Sequence, residues 1–168
     1  MFKNKNNVSI KEEKIVVRKW GNILPEKNKT KIFINNWMNQ FLIAVKVSTM
    51  EDVENLTVIT YAASKLILQK MLLICKDSNV VAANNLLIAN RSRADWIKEN
   101  INLYLTDNHS KILLIKTKEN YYISMSSGNF SENKIGKLEH FTILNNEKTF
   151  HEISNHYKKL KNGSTKRK

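Results

Sequence analysis

Apolar residues along this chain come in short runs broken by polar, often Asn-rich segments, and their spacing changes between strand-like and helix-like several times. Residues 1–30 hold one short apolar cluster, Ile15, Val16 and Val17, among Lys3, Lys5, Lys11, Lys14, Arg18, Lys19, Lys27 and Lys29. That segment reads as a basic, loosely ordered N-terminal arm. From Lys31 to Thr49, apolar stretches at 32–34 and 41–47 flank a polar, Asn-rich patch, a pattern of strand and short helix. Leu56 to Tyr61 reads as a buried strand. The run from Ser64 to Lys76 places Leu66, Ile67, Leu68, Met71, Leu72, Ile74 and Cys75 around a helix.

The alternation continues downstream. Val80 to Ala89 is apolar around Asn84 and Asn85, Ala94 to Asn100 reads as helix, and Ile101 to Leu105 as a short strand. Lys111 to Lys116 and Tyr121 to Met125 are β-rich runs joined by Thr117 to Asn120, which suits a hairpin. Leu138 to Leu144 gives a further strand. Asn146 can cap a last helix in which Phe150, Ile153, Tyr157 and Leu160 recur at helical spacing. Strands alternating with helices predict an α/β fold, and no internal repeat or heptad pattern divides the chain.

Composition narrows this picture. At 168 residues the chain has the length of one ordinary domain. The expected organisation is an arm over 1–30, one domain over 31–161 and a basic tail over 162–168. The 28 Lys and Arg against 15 Asp and Glu leave a formal charge of +13, which attracts polyanions by releasing their condensed counterions. Lys- and Asn-rich usage typical of an AT-rich genome is the plainer source of the same excess. Cys75, the only cysteine, sits in an apolar run, so no internal disulfide forms and a reducing, cytoplasmic setting is expected. No apolar stretch approaches the length of a membrane span or a signal h-region, so no membrane association is expected.

The chemistry concentrates in two neighbouring segments. Asn108-His109-Ser110-Lys111 opens the first β-run of the hairpin, and Ser126-Ser127-Gly128-Asn129 closes the second, with Glu139 following. Alternation places positions 109 and 111 on one face, so an imidazole and an ammonium can point at a single ligand. Cleaving a phosphodiester requires cationic or amide donors around the phosphoryl oxygens, a nucleophile and a leaving-group acid. His109, Lys111, Ser127 and Asn129 carry such groups, and Gly128 lets backbone approach an anion closely. No Cys/His or Asp/His cluster has ligand spacing, so neither a metal site nor a cofactor is expected.

This combination resembles the signature of the phospholipase D-like phosphodiesterase superfamily, an H-x-K element followed by a G-S-x-N-type loop and a glutamate. The resemblance runs from about Leu56 to Leu160 and is most specific between Asn108 and Leu144. It implies a phospholipase D-like fold, a mixed β-sheet flanked by helices in a single domain. It also implies His109 as the catalytic histidine, Lys111 as phosphate-binding lysine, Ser127 and Asn129 as second-loop ligands, and Glu139 as the carboxylate orienting an imidazole. Catalysis in that family is metal-independent and takes two histidines, one attacking phosphorus and one protonating the leaving oxygen. With one motif per chain, the resemblance implies a homodimer with two copies of His109 across a two-fold axis.

Two positions depart from the signature. Lys116 stands where an aspartate is expected, with Glu119 nearby as a substitute carboxylate, and Ser126 stands where a glycine precedes Ser127. These departures keep two readings in play: a nuclease acting on DNA or RNA, and a non-catalytic nucleic-acid-binding module that keeps the phosphate cradle. Reuse of the cradle for protein interaction is a third. His140 falls on the strand face opposite Glu139 and reads as structural or solvated, while His151 and His156 belong to the last helix. Trp20, Trp37 and Trp96 read as packing residues before base-stacking ones.

Overall fold

The computed structural model describes residues 8–83, 91–128, 130 and 138–164. Its elements run α1 (Lys11–Arg18), β1 (Thr30–Asn35), α2 (Gln40–Ser48), β2 (Val53–Thr60), α3 (Lys65–Ile74), β3 (Ser78–Ala83), α4 (Arg91–Asn100), β4 (Asn102–Thr106), β5 (Ile112–Thr117), β6 (Tyr121–Ser126), β7 (Glu139–Asn145) and α5 (Glu147–Ser164). The strands form one mixed sheet in the order β1-β7-β6-β5-β2-β3-β4. β2, β3 and β4 are parallel and joined by α3 and α4, while β5, β6, β7 and β1 pair antiparallel. This is the single-domain α/β arrangement that the pattern predicts, with the hairpin over 111–125 in place.

The two sheet faces are covered unequally. On one, Leu56, Val58, Val80, Ala82, Leu113 and Ile115 pack with Val17 of α1, Phe41 and Ile43 of α2, Leu68 and Met71 of α3 and Ile97 of α4. On the other, Ile59, Val81, Leu114 and Ile123 pack with Phe150 of α5, with Ile153 and Tyr157 half-buried beside them. Strand β5 is buried on both faces, which is why 112–115 reads as a continuous apolar run instead of an alternating one. Helix starts follow the expected chemistry. Asn39, Ser64 and Asn146 accept the amides of Leu42, Ile67 and Thr149 at 2.7, 3.2 and 2.9 Å, caps each worth about 1 kcal/mol.

The arm expected over 1–30 is partly ordered structure. Helix α1 buries Val17 completely, Glu13 pairs with Lys70 of α3, and Ile23 and Leu24 are buried. Of the apolar cluster only Val17 is covered, while Ile15 and Val16 stay exposed. Residues 1–7 lie outside the described residues, as do 84–90 of the run from Val80 to Ala89. The tail expected from 162 begins inside α5, which continues to Ser164. Cys75 is buried, and burial pushes its thiol pKa up, the state of an unreactive thiol. Among the described residues, no helix is long and apolar enough to cross a membrane.

The hairpin is tied to the start of β2 by one carboxylate. Glu51 accepts hydrogen bonds from Thr117, from Asn120 at 2.9 Å and from Tyr122 at 2.9 Å. Burial alone would raise its pKa, but the hydrogen bonds from Asn120, Thr117 and Tyr122 outweigh it and the net direction is down. The same contact and burial push the Tyr122 phenol well above its ordinary value. Because the folded carboxyl ionises below its ordinary value of 4.5, its contribution to stability is complete above that value and is lost as pH falls through the folded pKa. Glu51→Gln is therefore expected to lower unfolding free energy by about 1–2 kcal/mol at pH 7, with the gap to wild type shrinking below pH 4, as urea titrations at the two pH values measure.

Candidate active site at the end of the central strands

The antiparallel register fixes which strand ends meet. Ile59 near the end of β2 pairs with Ile112 at the start of β5, Ile112 pairs with Met125, and Ser126 pairs with Phe141 of β7. The segments 108–111, 126–128 and 138–140 therefore share one end of the sheet. It is the end where the parallel strands β2, β3 and β4 finish, the usual location of ligand sites in α/β sheets.

His109 and Lys111 come together just before β5 begins. The Lys111 ammonium is 3.3 Å from His109 Nδ1 and donates to the His109 carbonyl at 3.0 Å. Their approach comes from a turn and not from an extended strand, because Asn108 Oδ1 accepts the Ser110 amide at 2.7 Å and folds the segment back. Asn108 is buried beneath, its side-chain amide directed at the Thr60 carbonyl. His109 is exposed, and its ring centroid is 4.8 Å from that of Tyr61, at a tilt of 48°.

Ser127 and Glu139 form a second group. The Ser127 hydroxyl donates to the Glu139 carboxylate and accepts the His140 amide at 3.0 Å. Glu139, expected to orient an imidazole, is thus engaged by Ser127. The cause is the β6–β7 ladder, which the Ser127 amide extends to the His140 carbonyl at 3.1 Å, placing residue 139 beside the loop and not beside His109. The backbone that Gly128 exposes is approached by the same carboxylate. A Cβ at 128 would stand 3.1 Å from the Glu139 carboxyl carbon. The cradle expected to accept a phosphate here holds the protein's own anion. Asn129, the remaining expected ligand, lies outside the described residues.

Lys116, at the expected aspartate position, pairs with Glu54 of β2 across the sheet, and this hydrogen bond raises its pKa. The carboxylate beside it is therefore Glu54, not Glu119 of the turn. His140 is exposed, with its Nε2 3.3 Å from the Thr142 hydroxyl. Trp20 and Trp37 pack edge to face at 4.9 Å, and the Lys65 ammonium sits 5.3 Å over Trp96, so all three tryptophans take part in packing. Among the described residues no three His, Cys, Asp or Glu side chains are grouped to hold a metal ion.

Sequence reasoning overlooks Gln40. Buried at the start of α2, its side-chain amide donates to the Lys111 carbonyl at 2.9 Å and to the Ser124 carbonyl at 3.0 Å, joining the two strands next to the motif. The only signal for it is a polar residue one place after a capping Asn, inside an apolar helix. Gln40→Leu is expected to cost about 1–3 kcal/mol, since two donated hydrogen bonds disappear. Gln40→Glu is expected to cost more, because it turns a carboxylate toward two carbonyls; chemical denaturation of both variants measures the order.

No protein-family model matches the chain, and no curated protein matches it in sequence. Solved structures do share its architecture. A polyphosphate kinase from Porphyromonas gingivalis aligns with 79% of this chain at 12% identity and a TM-score of 0.56, and the alignment spans 26% of that protein. NucT from Helicobacter pylori aligns with 79% of this chain and 94% of its own length, at 13% identity and a TM-score of 0.50. Identities this low speak to fold alone. The fold is shared with them: a single α/β domain with a mixed sheet flanked by helices.

Proposed function

We propose that the protein is a metal-independent phosphodiesterase acting on DNA or RNA, working as a homodimer in the cytoplasm. The observation that carries this reading is the exposed His109 imidazole with the Lys111 ammonium 3.3 Å from its ring, at the end of the sheet where the parallel strands finish. The order of His109, Lys111, Ser127, Asn129 and Glu139 along the chain and the charge of +13 support it.

In this reading one His109 attacks phosphorus, forming a P–N bond as the P–O bond to the leaving group breaks. A second copy's His109 supplies the proton to the leaving oxygen, and water then cleaves the P–N bond. The copy that serves as acid acts as an imidazolium, giving its Nε2 proton to the leaving oxygen and reverting to neutral imidazole. The attacking copy needs a lone pair there, hence a proton acceptor at Nδ1, the role expected of Glu139. Lys111 and Asn129 bind phosphoryl oxygens, assisted by Ser127. Cleavage of labelled single- and double-stranded DNA and RNA in EDTA is expected, and His109→Ala is expected to lower it by at least about 100-fold while leaving binding in place.

A second reading is favoured by two specific observations: Lys116 is paired with Glu54, and Glu139 is engaged by Ser127. It is a non-catalytic nucleic-acid-binding module on the same fold. Its signature is silence from both wild type and His109→Ala in the cleavage assay, with affinity for nucleic acid that falls steeply with salt.

A further inference from the structure

On the sheet face that α5 covers lies a cavity of about 440 Å³, within the range of about 300–1,000 Å³ usual for small-ligand sites. Its floor is unusual for the middle of a sheet. Asn55, Thr57 and Asn79 stand side by side across β2 and β3 and face the cavity, although asparagine is disfavoured in strands. Their mutual hydrogen bonds are long, 3.4 Å from the Asn79 amide to the Thr57 hydroxyl and 3.3 Å from Thr57 to Asn55. Elsewhere on this face, Ile59, Leu114 and Ile123 meet Phe150 and Ile153 in ordinary apolar packing. Where the floor turns polar, the helix leaves space.

The walls and rim add two further chemistries. Tyr104 from β4 and Tyr157 from α5 bring aromatic rings, and Lys158 brings an exposed ammonium. The cavity also adjoins the candidate active site, because the Tyr157 hydroxyl donates to the Ser110 hydroxyl at 3.0 Å, one residue from His109. Side-chain amides that read base edges, rings that stack on bases and a cation for phosphate match the parts of one nucleotide.

We infer that this cavity takes one nucleotide unit of a single-stranded nucleic acid, with the base against Asn79 and its phosphate at Lys158. A base can enter a walled cavity only when unpaired, so this inference adds strandedness to the nucleic-acid reading on which it rests. The strand then leads from beneath α5 past Ser110 toward His109.

The test is fluorescence anisotropy with a labelled 12-nucleotide single strand and the same sequence as a duplex, with unlabelled nucleoside monophosphates as competitors. Asn79→Leu is expected to weaken single-strand binding at least ten-fold and duplex binding less than two-fold. Monophosphates are expected to compete with the single strand. Lys158→Glu is expected to weaken single-strand binding at least five-fold more than Lys159→Glu, which changes charge equally at the next exposed position. Equal losses from the two lysine variants overturn the inference even if Asn79→Leu fails to fold. A folded Asn79→Leu with unchanged single-strand affinity, equal losses on both substrates, or failure of the monophosphates to compete also overturns it. Cleavage in EDTA is scored separately: its absence with Asn79-dependent binding removes only the catalytic reading, and absence of all nucleic-acid binding removes both.

Discussion

The end of the sheet that carries the candidate site depends on the pairing of β5, the strand at which the sheet changes direction. β2, β3 and β4 run parallel, and β5 lies antiparallel to both β2 and β6. Because β5 is apolar on both faces, a one-residue slip would still bury apolar side chains, so its register is held by the polar clamps beside it. That register decides that segments 108–111, 126–128 and 138–140 end up together. The clamps around β5 act at opposite ends: Glu51 holds the hairpin turn, and Gln40 holds the strands beside Lys111.

Around the site, two charged groups at the same end of the sheet are engaged differently. Lys111 faces the His109 ring, whereas Glu139 is occupied by Ser127 and packed against Gly128. In the proposed reading, a phosphate would take the place that this carboxylate holds beside Ser127 and Gly128. Whether the site turns over substrate then depends on what displaces that carboxylate and where it goes, and a second copy of the chain is the partner that the proposed chemistry requires. The cavity under α5 lies outside that question, because its floor belongs to the opposite part of the sheet from Glu139.

Much of the fold was legible along the chain because its signals are local. Strand β2, the β5–β6 hairpin, β7 and the cap at Asn146 follow from apolar runs, turn residues and a capping side chain within a few positions of one another. The N-terminal segment was not legible in this way. Val17 belongs to a helix that is amphipathic and weakly apolar, and its burial comes from α2 and α3, whose positions no local pattern states.

The site divides along the same line. By itself the sequence determined that a histidine and a lysine two residues apart precede a β-hairpin, that Ser127 and Glu139 follow in order, and that the whole chain is strongly cationic. Only the tertiary structure decided that Glu139 meets Ser127 instead of His109, that Lys116 pairs with Glu54, that Gln40 reaches Lys111, and that Asn55, Thr57 and Asn79 share one cavity. The reason is physical: residue types and short spacings fix what a side chain can do, but partners separated by 12 to 71 positions are chosen by strand register and by the packing of helices on the sheet.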